Sequence, residues 1–325
     1  MRPAEEGDPP AFTLVELAAV CAVIGILLAT LAPVVGFQIL RARIDAETAA
    51  LQNLGAAVQA SFESTDLEGT NIAAIWGSVP SGVDTTRFSP VTSPAYVPVT
   101  VYTNDWFIKV ARQMGYSLPS PAQGAPVTGV PPQAAGILFN ANNLTRCLMI
   151  GPDNESAQQR FLIVSLIASP GELAVPPLPN SSNLQDPGDL ALFNDIWNTN
   201  WTAPGAVLPP TWVAALTQSQ AQGWQGSGAS GGRMWQLCVQ RITCPKYSVT
   251  INNSHPTQNC YVYYNINGAV AGSSASVPAN GGVYAISGVY YGRLIQAYRG
   301  TAPPPAAGLF SQFTLRDNNE ITLQD

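Results

Sequence analysis

The stretch Ala11-Phe12-Thr13-Leu14-Val15-Glu16 opens an apolar run that continues from Leu17 to Leu40. Glu16 is the only carboxylate between Phe12 and Leu40, and the next charged residue is Arg41. A helix rises about 1.5 Å per residue, so this run is long enough to cross a hydrocarbon core of about 30 Å. A carboxylate inside a membrane helix costs about 2–3 kcal/mol at mid-depth and less near the interface. The sequence therefore predicts a positive charge that compensates Glu16.

Cleavage of the peptide bond before Phe12 creates such a charge. The new α-ammonium group lies one helical turn from Glu16, at the spacing where groups on one helix face interact. A small residue, a cleavage point, Phe-Thr-Leu-x-Glu and an apolar helix together resemble the class III signal of type IV pilins and type II secretion pseudopilins. Ala11 stands at the cleavage point, where that family prefers glycine.

Further matches to this family follow in register. Gly25, Pro33 and Arg41 fall where the family commonly places a glycine, a helix-softening proline and a basic residue. The resemblance implies that a prepilin peptidase/N-methyltransferase cleaves after Ala11 and methylates Phe12. It covers about the first fifth of the chain.

The resemblance also implies a function and a location. The helix half 12–40 spans the bacterial inner membrane in contact with its lipid, and later packs against other pilin or pseudopilin subunits. Glu16 then meets the Phe12 ammonium of an adjoining subunit, and the head lies in the periplasm or on a cell-surface filament. The protein is expected to be a structural subunit and not an enzyme. Its large head favours a minor or tip-located position.

Other interpretations of the N-terminal stretch remain open. One is a secretory signal that is cleaved after Ala32. Pro33 directly follows that cleavage point, and the apolar run is longer than the roughly 7–15 residues of a signal core. A simple membrane anchor fits the length but leaves Glu16 unexplained. The alternative function is a membrane-tethered extracytoplasmic binding or adhesion module.

The composition is that of a polar, weakly charged head. Charged residues make up 10% of the 325 residues, the net charge is −6, and lysine occurs only at Lys109 and Lys246. Because there is no basic run to neutralise phosphates, nucleic acid binding is not predicted.

The organisation predicted from these patterns has four parts. Residues 1–11 form a leader, 12–40 a transmembrane or filament-core helix half, 41–64 an amphipathic helix half, and 65–325 an exported globular head. The amphipathic half is recognised by apolar residues at three-, four- and seven-residue spacings, namely Ile44, Leu51, Leu54, Val58 and Phe62. One continuous helix of about 50 residues is expected.

The head is predicted to be α+β, with helical insertions preceding an antiparallel sheet. Short helices are expected at Trp106–Met114, with Gly115 as the stop, at Asp186–Trp197 and at Pro210–Gln222. The C-terminal third has the alternation typical of strands, with the expected strands being Met234–Thr243, Tyr247–Asn252, Tyr261–Ile266, Val283–Ile286, Tyr290–Tyr298 and Leu309–Arg316, after Arg146–Ile150 and Phe161–Ala168.

Four cysteines of the head form an even set without a zinc-ligand spacing, so two disulfides and an oxidising compartment are expected. Cys244–Cys260 with Cys147–Cys238 is the preferred pairing, and Cys238–Cys244 with Cys147–Cys260 is the rival. Cys21, in the apolar run, is interpreted as a small apolar residue.

Catalytic and metal-binding patterns are weak. Ser230 lies in a formal Gly-x-Ser-x-Gly string that a glycine-serine loop precedes, and His255, the only histidine, lies in a turn-like string. No cofactor is predicted. Asp317, Asn319 and Glu320 are a weak calcium candidate, because calcium prefers six or more oxygen ligands in a defined loop. Alternating tyrosines such as Tyr261 indicate half-buried strands or an exposed contact surface.

Overall fold

The structure is a computed structural model that describes residues 14–63, 110–116, 136–137, 139–142, 144, 146–151, 158–168, 172–174, 176–179, 187–203, 205–225, 232–264, 273–290, 294–299, 309–315 and 319–323. The leader 1–11, Phe12, the nucleophile candidate Ser230 and the calcium candidate Asp317 lie outside these residues. The chain forms two compact units, Met1–Ala46 and Glu47–Asp325.

The first helix, α1, extends from Leu14 to Glu63 without interruption. Its 50 residues confirm the predicted single long helix, and Pro33 lies inside it. Proline has no amide hydrogen to donate, so the helix continues through Pro33 with one backbone hydrogen bond fewer.

The C-terminal half of α1 has the predicted apolar face. Ile44, Leu51, Leu54 and Val58 are buried, whereas Gln52 is exposed. The side chain of Phe62, the last predicted member of this face, lies outside the description. The burial confirms that the pattern marks one face of the helix.

Nine strands occur in the described residues. They are β1 Cys147–Ile150, β2 Gln158–Leu166, β3 Leu237–Asn253, β4 Cys260–Tyr264, β5 Ser273–Val277, β6 Gly282–Tyr290, β7 Leu294–Arg299, β8 Leu309–Thr314 and β9 Asn319–Leu323. One sheet has the order β1-β2-β3-β6 with β9 beside β3, and the other has the order β5-β4-β7-β8. All pairs are antiparallel except β3–β9, so the α+β prediction is confirmed, with one parallel pair added.

The strand β3 replaces two predicted strands with a single one of 17 residues. Pro245 lies in the gap between the two predicted strands, and proline cannot donate a ladder hydrogen bond. In the structure Pro245 pairs with Gln158, the first residue of β2, and from Lys246 onward β3 pairs with β6. The proline therefore occupies the place where β3 exchanges one neighbour for the next.

Strand β2 is buried on both sides. Its pattern is nearly all buried, and it lies between β1 and β3. One face of β3 carries Gln240 and Ile242 toward Gly55 of α1. The opposite face carries Arg241, whose guanidinium donates hydrogen bonds to the carbonyls of Trp197 and Thr199. Burial on both faces explains why β2 contains a continuous apolar run and not an alternating pattern.

Three α-helices lie between β2 and β3 in the described part of the chain: α2 Pro187–Asn198, α3 Pro210–Ala215 and α4 Gln218–Gln225. The end of α2 lies on the face of the sheet that carries Arg241. The predicted helix Pro210–Gln222 is divided into α3 and α4, since Leu216 has an extended conformation. Trp201, Trp212 and Trp224 are buried together, with ring centroids 4.8 and 5.2 Å apart. These aromatic contacts join α3 and α4 to the segment after α2, where the indole nitrogen of Trp201 donates to the carbonyl of Ile196 in α2.

The C-terminal part of the head is a two-sheet core. Val249 and Ile251 of β3 share one buried cluster with Val262 of β4 and Ile295 of β7. The second half of β3, with β6, therefore packs against the four-stranded sheet. The strand β3 belongs to both halves of the head.

Candidate functional site

The N-terminal half of α1 exposes apolar side chains from Leu14 to Ile39. Among the residues that the structure describes, Leu14–Ser61 is the helical span long and apolar enough to cross a membrane. Length and composition are thus consistent with a single-pass membrane protein. A cleavable signal near an N-terminus passes the same test.

The predicted assembly residues lie in this half of α1. Glu16 is in the first turn, where the helix dipole favours a negative charge. Gly25 faces open space, because a Cβ built on it meets no atom within 4 Å. The Thr30 hydroxyl donates to the carbonyls of Ile26 and Leu27, at 3.1 and 3.0 Å, so its polar atom is satisfied within the helix.

A buried ion pair marks the start of the second half of α1. Nε of Arg146 lies 2.7 Å from Oε1 of Glu47, and its Nη2 lies 2.8 Å from Oε2. The side chains are 7% and 4% exposed, respectively. The remaining guanidinium nitrogen, Nη1, donates to the carbonyl of Gly136. This two-point geometry is the strongest form of an arginine–carboxylate contact.

Two further contacts position the same part of α1 on the sheet. A Cβ added at Gly55 would lie 2.9 Å from Cγ of Gln240 and 3.3 Å from Cγ1 of Ile242. The hydroxyl of Thr48 lies 3.9 Å from Sγ of Cys238. Gly55 therefore permits close contact between helix and strand that a larger side chain would obstruct.

Sequence reasoning did not identify Glu47, Arg146 or Gly55, although one signal was present. Glu47 lies three residues after Ile44 and four before Leu51, so the carboxylate falls on the apolar face of the helix. A charge in that position predicts a buried cation partner. Its identity as Arg146 depends on tertiary structure, because 99 positions separate the two residues.

The predicted disulfides are not present in the structure, where none of the five cysteines is joined to another. Cys147 pairs with Val164, which pairs with Val239, whereas Cys238 pairs with Ser165. Cys147 and Cys238 therefore lie on opposite faces of the sheet, since adjacent strand residues alternate in direction. The register excludes the predicted Cys147–Cys238 bridge.

The other predicted pairings are also absent. Cys238 and Cys244 lie six residues apart on β3, a distance of about 20 Å that far exceeds the Cα separation of a disulfide. Cys244 lies in β3 beside β2, whereas Cys260 lies in β4 of the other sheet. The spacing argument favoured Cys244–Cys260 with Cys147–Cys238, and it did not include the sheet faces and the separate sheets in which these cysteines lie.

Cys260 is instead a core residue. Its side chain is 5% exposed and packs in the cluster between the two sheets. Burial raises the pKa of the Cys260 thiol from 9.0 to about 11, and a backbone hydrogen bond with Tyr298 partly opposes this rise. Burial likewise lowers the pKa of Arg241.

His255 holds a turn. Its Nδ1 accepts hydrogen bonds from the backbone amides of Thr257 and Gln258, at 3.2 and 2.9 Å. The Asn253 side chain completes the turn, since its Oδ1 accepts from the amide of His255 and its Nδ2 donates to the Gln258 carbonyl. This geometry fits the turn predicted from the sequence around His255.

The residues of the calcium candidate that the structure describes lie in a strand. Asn319 and Glu320 are in β9 and pair with Val249 and Thr250 of β3. Within the described part of the chain there is no group of three or more His, Cys, Asp or Glu side chains suited to a metal. The ligand set with Asp317 stays a sequence-based prediction.

The tyrosines in the C-terminal sheets are partly buried where the structure describes them. Tyr261 and Tyr298 are cross-strand partners on β4 and β7, and the hydroxyl of Tyr298 donates to Oε1 of Gln296 at 3.0 Å. Tyr247 and Tyr284 pack against the core between the sheets. This arrangement agrees with the half-buried strands predicted from the tyrosine pattern.

Comparisons with known proteins give no family for the chain. No protein-family model matches the sequence, and no curated protein matches it. Among solved structures, the fold is weakly similar to the cytotoxin suilysin from Streptococcus suis, with 10% identity and a TM-score of 0.17 over 51% of this chain and 46% of that one. It is also weakly similar to listeriolysin O, with 10% identity and a TM-score of 0.15 over 68% and 60% of the two chains. The chain thus spans less than two thirds of either structure, and similarities this low carry no argument about function.

Proposed function

We propose that this protein is a subunit of a type IV pilus-like filament or a type II secretion pseudopilus. Cleavage after Ala11 and N-methylation of Phe12 mature it, after which the apolar half of α1 packs among other subunits. Its head is directed to the periplasm or the cell surface. The large head favours a minor or tip-located subunit.

The observation that carries the proposal is the position of Glu16. It is the only carboxylate between Phe12 and Leu40, and the large apolar side chains of this part of α1 are exposed from Leu14 to Ile39. A cation beside a carboxylate in such surroundings offsets part of the cost of removing the carboxylate from water. In a stack of parallel helices, the Phe12 ammonium of a neighbouring subunit supplies such a cation.

The two halves of α1 differ in the exposure of their apolar side chains, and this difference supports the same function. A subunit that assembles through one helix needs an apolar half available for other molecules and a half that holds its head. Residues 14–39 expose their large apolar side chains, whereas Leu51, Leu54 and Val58 are buried. One uninterrupted helix contains both halves.

N-terminal sequencing and intact mass of the membrane-associated protein test this function. We expect a product that begins with methylated Phe12. A product that begins at Met1 or at Pro33 would overturn the proposal.

Two matched substitutions identify the protease. Ala11→Leu should leave the leader attached, whereas Ala32→Leu should not change the N-terminus, because only Ala11 precedes the proposed cleavage point. The reverse result would show a secretory signal cleaved after Ala32.

A further inference from the structure

We infer that the Glu47–Arg146 pair and the glycine at position 55 fix the axial register of residues 47–61 of α1 on the sheet of the head. They act as positioning residues, and select one placement of the helix among several that apolar packing permits. The inference concerns the head, and its consequence for assembly rests on the proposed function. A filament requires every subunit to hold its helix in the same register.

Apolar contacts alone select this register weakly. Leu51, Leu54 and Val58 repeat at spacings of three and four residues, so a slip by one turn of about 5.4 Å exchanges one apolar side chain for another. Hydrophobic contact has no direction, and it depends mainly on the area removed from water. The slipped helix would keep much of its buried area.

The ion pair makes that slip costly. Glu47 and Arg146 meet through two hydrogen bonds of 2.7 and 2.8 Å, and both side chains are at least nine-tenths buried. A displacement of one turn would separate them and leave two charges without partners in a poorly solvated position. Apolar side chains at these sites would lack this penalty, so their register would be free to vary.

Gly55 opposes the same slip by steric exclusion. It lies eight residues after Glu47, about 12 Å along the helix. A slip of four residues would bring Leu51 or Gln59 to the place where even a Cβ approaches Gln240 to 2.9 Å. The Glu47–Arg146 pair and Gly55 therefore act at separate points of α1, and both disfavour the same slipped registers.

A thiol reporter can measure the register directly. The Thr48 hydroxyl lies 3.9 Å from Sγ of Cys238, so a Thr48→Cys variant should form a disulfide with Cys238 on oxidation. Gln52 lies one turn further along α1 and is exposed. A Gln52→Cys variant should therefore form this bridge only if the helix slips.

The experiment uses the full chain in detergent, mild oxidation and peptide mapping by mass spectrometry. With Glu47 and Arg146 present, we expect the position-48 bridge to exceed the position-52 bridge at least about tenfold, the ratio produced by about 1.4 kcal/mol. The Glu47→Leu/Arg146→Met double variant should fold and lower this ratio several-fold. The exchanged pair Glu47→Arg/Arg146→Glu should restore it.

Each other outcome overturns the inference. An unchanged ratio in the Leu/Met variant would show that packing and Gly55 suffice. If the Leu/Met variant does not fold, the pair contributes to overall stability and not to register. If the exchanged pair does not restore the ratio, charge pairing does not determine the register. Because the cross-link forms within one chain, failure of filament assembly does not affect its interpretation.

Discussion

The two halves of α1 each contain a carboxylate, but in opposite surroundings. Glu47 lies on a buried face and receives its cation, Arg146, from the same chain. Glu16 lies in the first turn of a half whose large apolar side chains are exposed. Folding brings Arg146 to Glu47, and we propose that assembly brings the Phe12 ammonium of a second chain to Glu16.

The comparison separates what apolar surface and what charge can each contribute along α1. Apolar surface supplies most of the affinity in both halves, but it does not select a register. We propose that a single charge in each half selects it, because an ion removed from water without a partner costs several kcal/mol. The predictions below test whether the two charges act independently.

The largest effect is expected at Glu16. Glu16→Ala should abolish incorporation into filaments, since the Phe12 ammonium of the neighbouring subunit would lose its partner. The stability of the head should change by less than about 0.5 kcal/mol, because the exposed apolar half belongs to a separate compact unit. Sheared filament yield and chemical unfolding of the purified chain measure the two effects.

Asp45→Ala is the matched control for this prediction. Asp45 is an exposed carboxylate on the same helix, so its removal should leave the filament yield unchanged. Normal assembly of the Glu16→Ala protein would refute the role proposed for this residue. A membrane-tethered binding module would give that result.

The next effect is expected at Glu47, and it should appear in the head. Glu47→Gln leaves Arg146 buried without its charge partner, which should lower the free energy of unfolding by about 3–5 kcal/mol. The Glu47→Leu/Arg146→Met double variant should recover most of this loss, because it removes both charges. Denaturant midpoints of the full chain provide the measurement.

A double-mutant cycle with Glu16 sharpens the comparison. Glu16 and Glu47 lie 31 residues apart along α1, so their effects on head stability should add. A large coupling energy would mean that the two halves do not act independently.

The elements with strong local patterns could be predicted from the sequence. The continuous α1 follows from an apolar run joined to an amphipathic one, and the end of the helix near Gly115 follows from glycine chemistry. Gly115 has a φ of 80°, and the amide of Tyr116 bonds to the carbonyl of Ala111, as expected for a glycine stop. These features depend on a few neighbouring residues.

The features that sequence reasoning missed depend on distant residues. Strand β5, with the sequence Ser-Ser-Ala-Ser-Val, has little apolar character and is placed by pairing with β4. Strand β9 is polar at its start and is placed by parallel pairing with β3. The disulfide prediction was wrong for the same reason, since spacing along the chain does not report the face of a sheet.

A smaller effect is expected from the thiol of Cys260 at alkaline pH. Its pKa is about 11 in the folded chain, raised from the ordinary value of 9.0 that applies to an unfolded one. Between these values the unfolded chain releases a proton that the folded chain retains, so stability falls as pH rises from about 9 to 11. The loss from this group should be on the order of 2 kcal/mol by pH 11.

Tyrosines and lysines also ionise in this pH range, so the contribution of the Cys260 thiol is obtained by comparison with the Cys260→Ala variant. The variant should be less stable at pH 7, where it leaves a small cavity, but its stability should fall less steeply above pH 9. Parallel pH profiles for the two proteins would show that the thiol does not contribute.

The smallest effect compares the same substitution in the two halves of α1. Gly55→Ala places a methyl group 2.9 Å from Cγ of Gln240, so the Gln240 side chain or the helix must shift. Overpacking of this kind costs about 1–3 kcal/mol, and the gain in helix propensity returns up to about 1 kcal/mol. The head should therefore lose about 1 kcal/mol in its free energy of unfolding.

Gly25→Ala makes the same chemical change where a Cβ meets no atom within 4 Å. The only expected effect of Gly25→Ala is a higher helix propensity, so the denaturant midpoint of the head should not fall. Because backbone entropy changes alike at the two sites, the difference between the variants measures the contact of Gly55 with the sheet. Equal midpoints would mean that Gln240 moves aside without cost, and the exclusion of slipped registers would then depend on Glu47 and Arg146 alone.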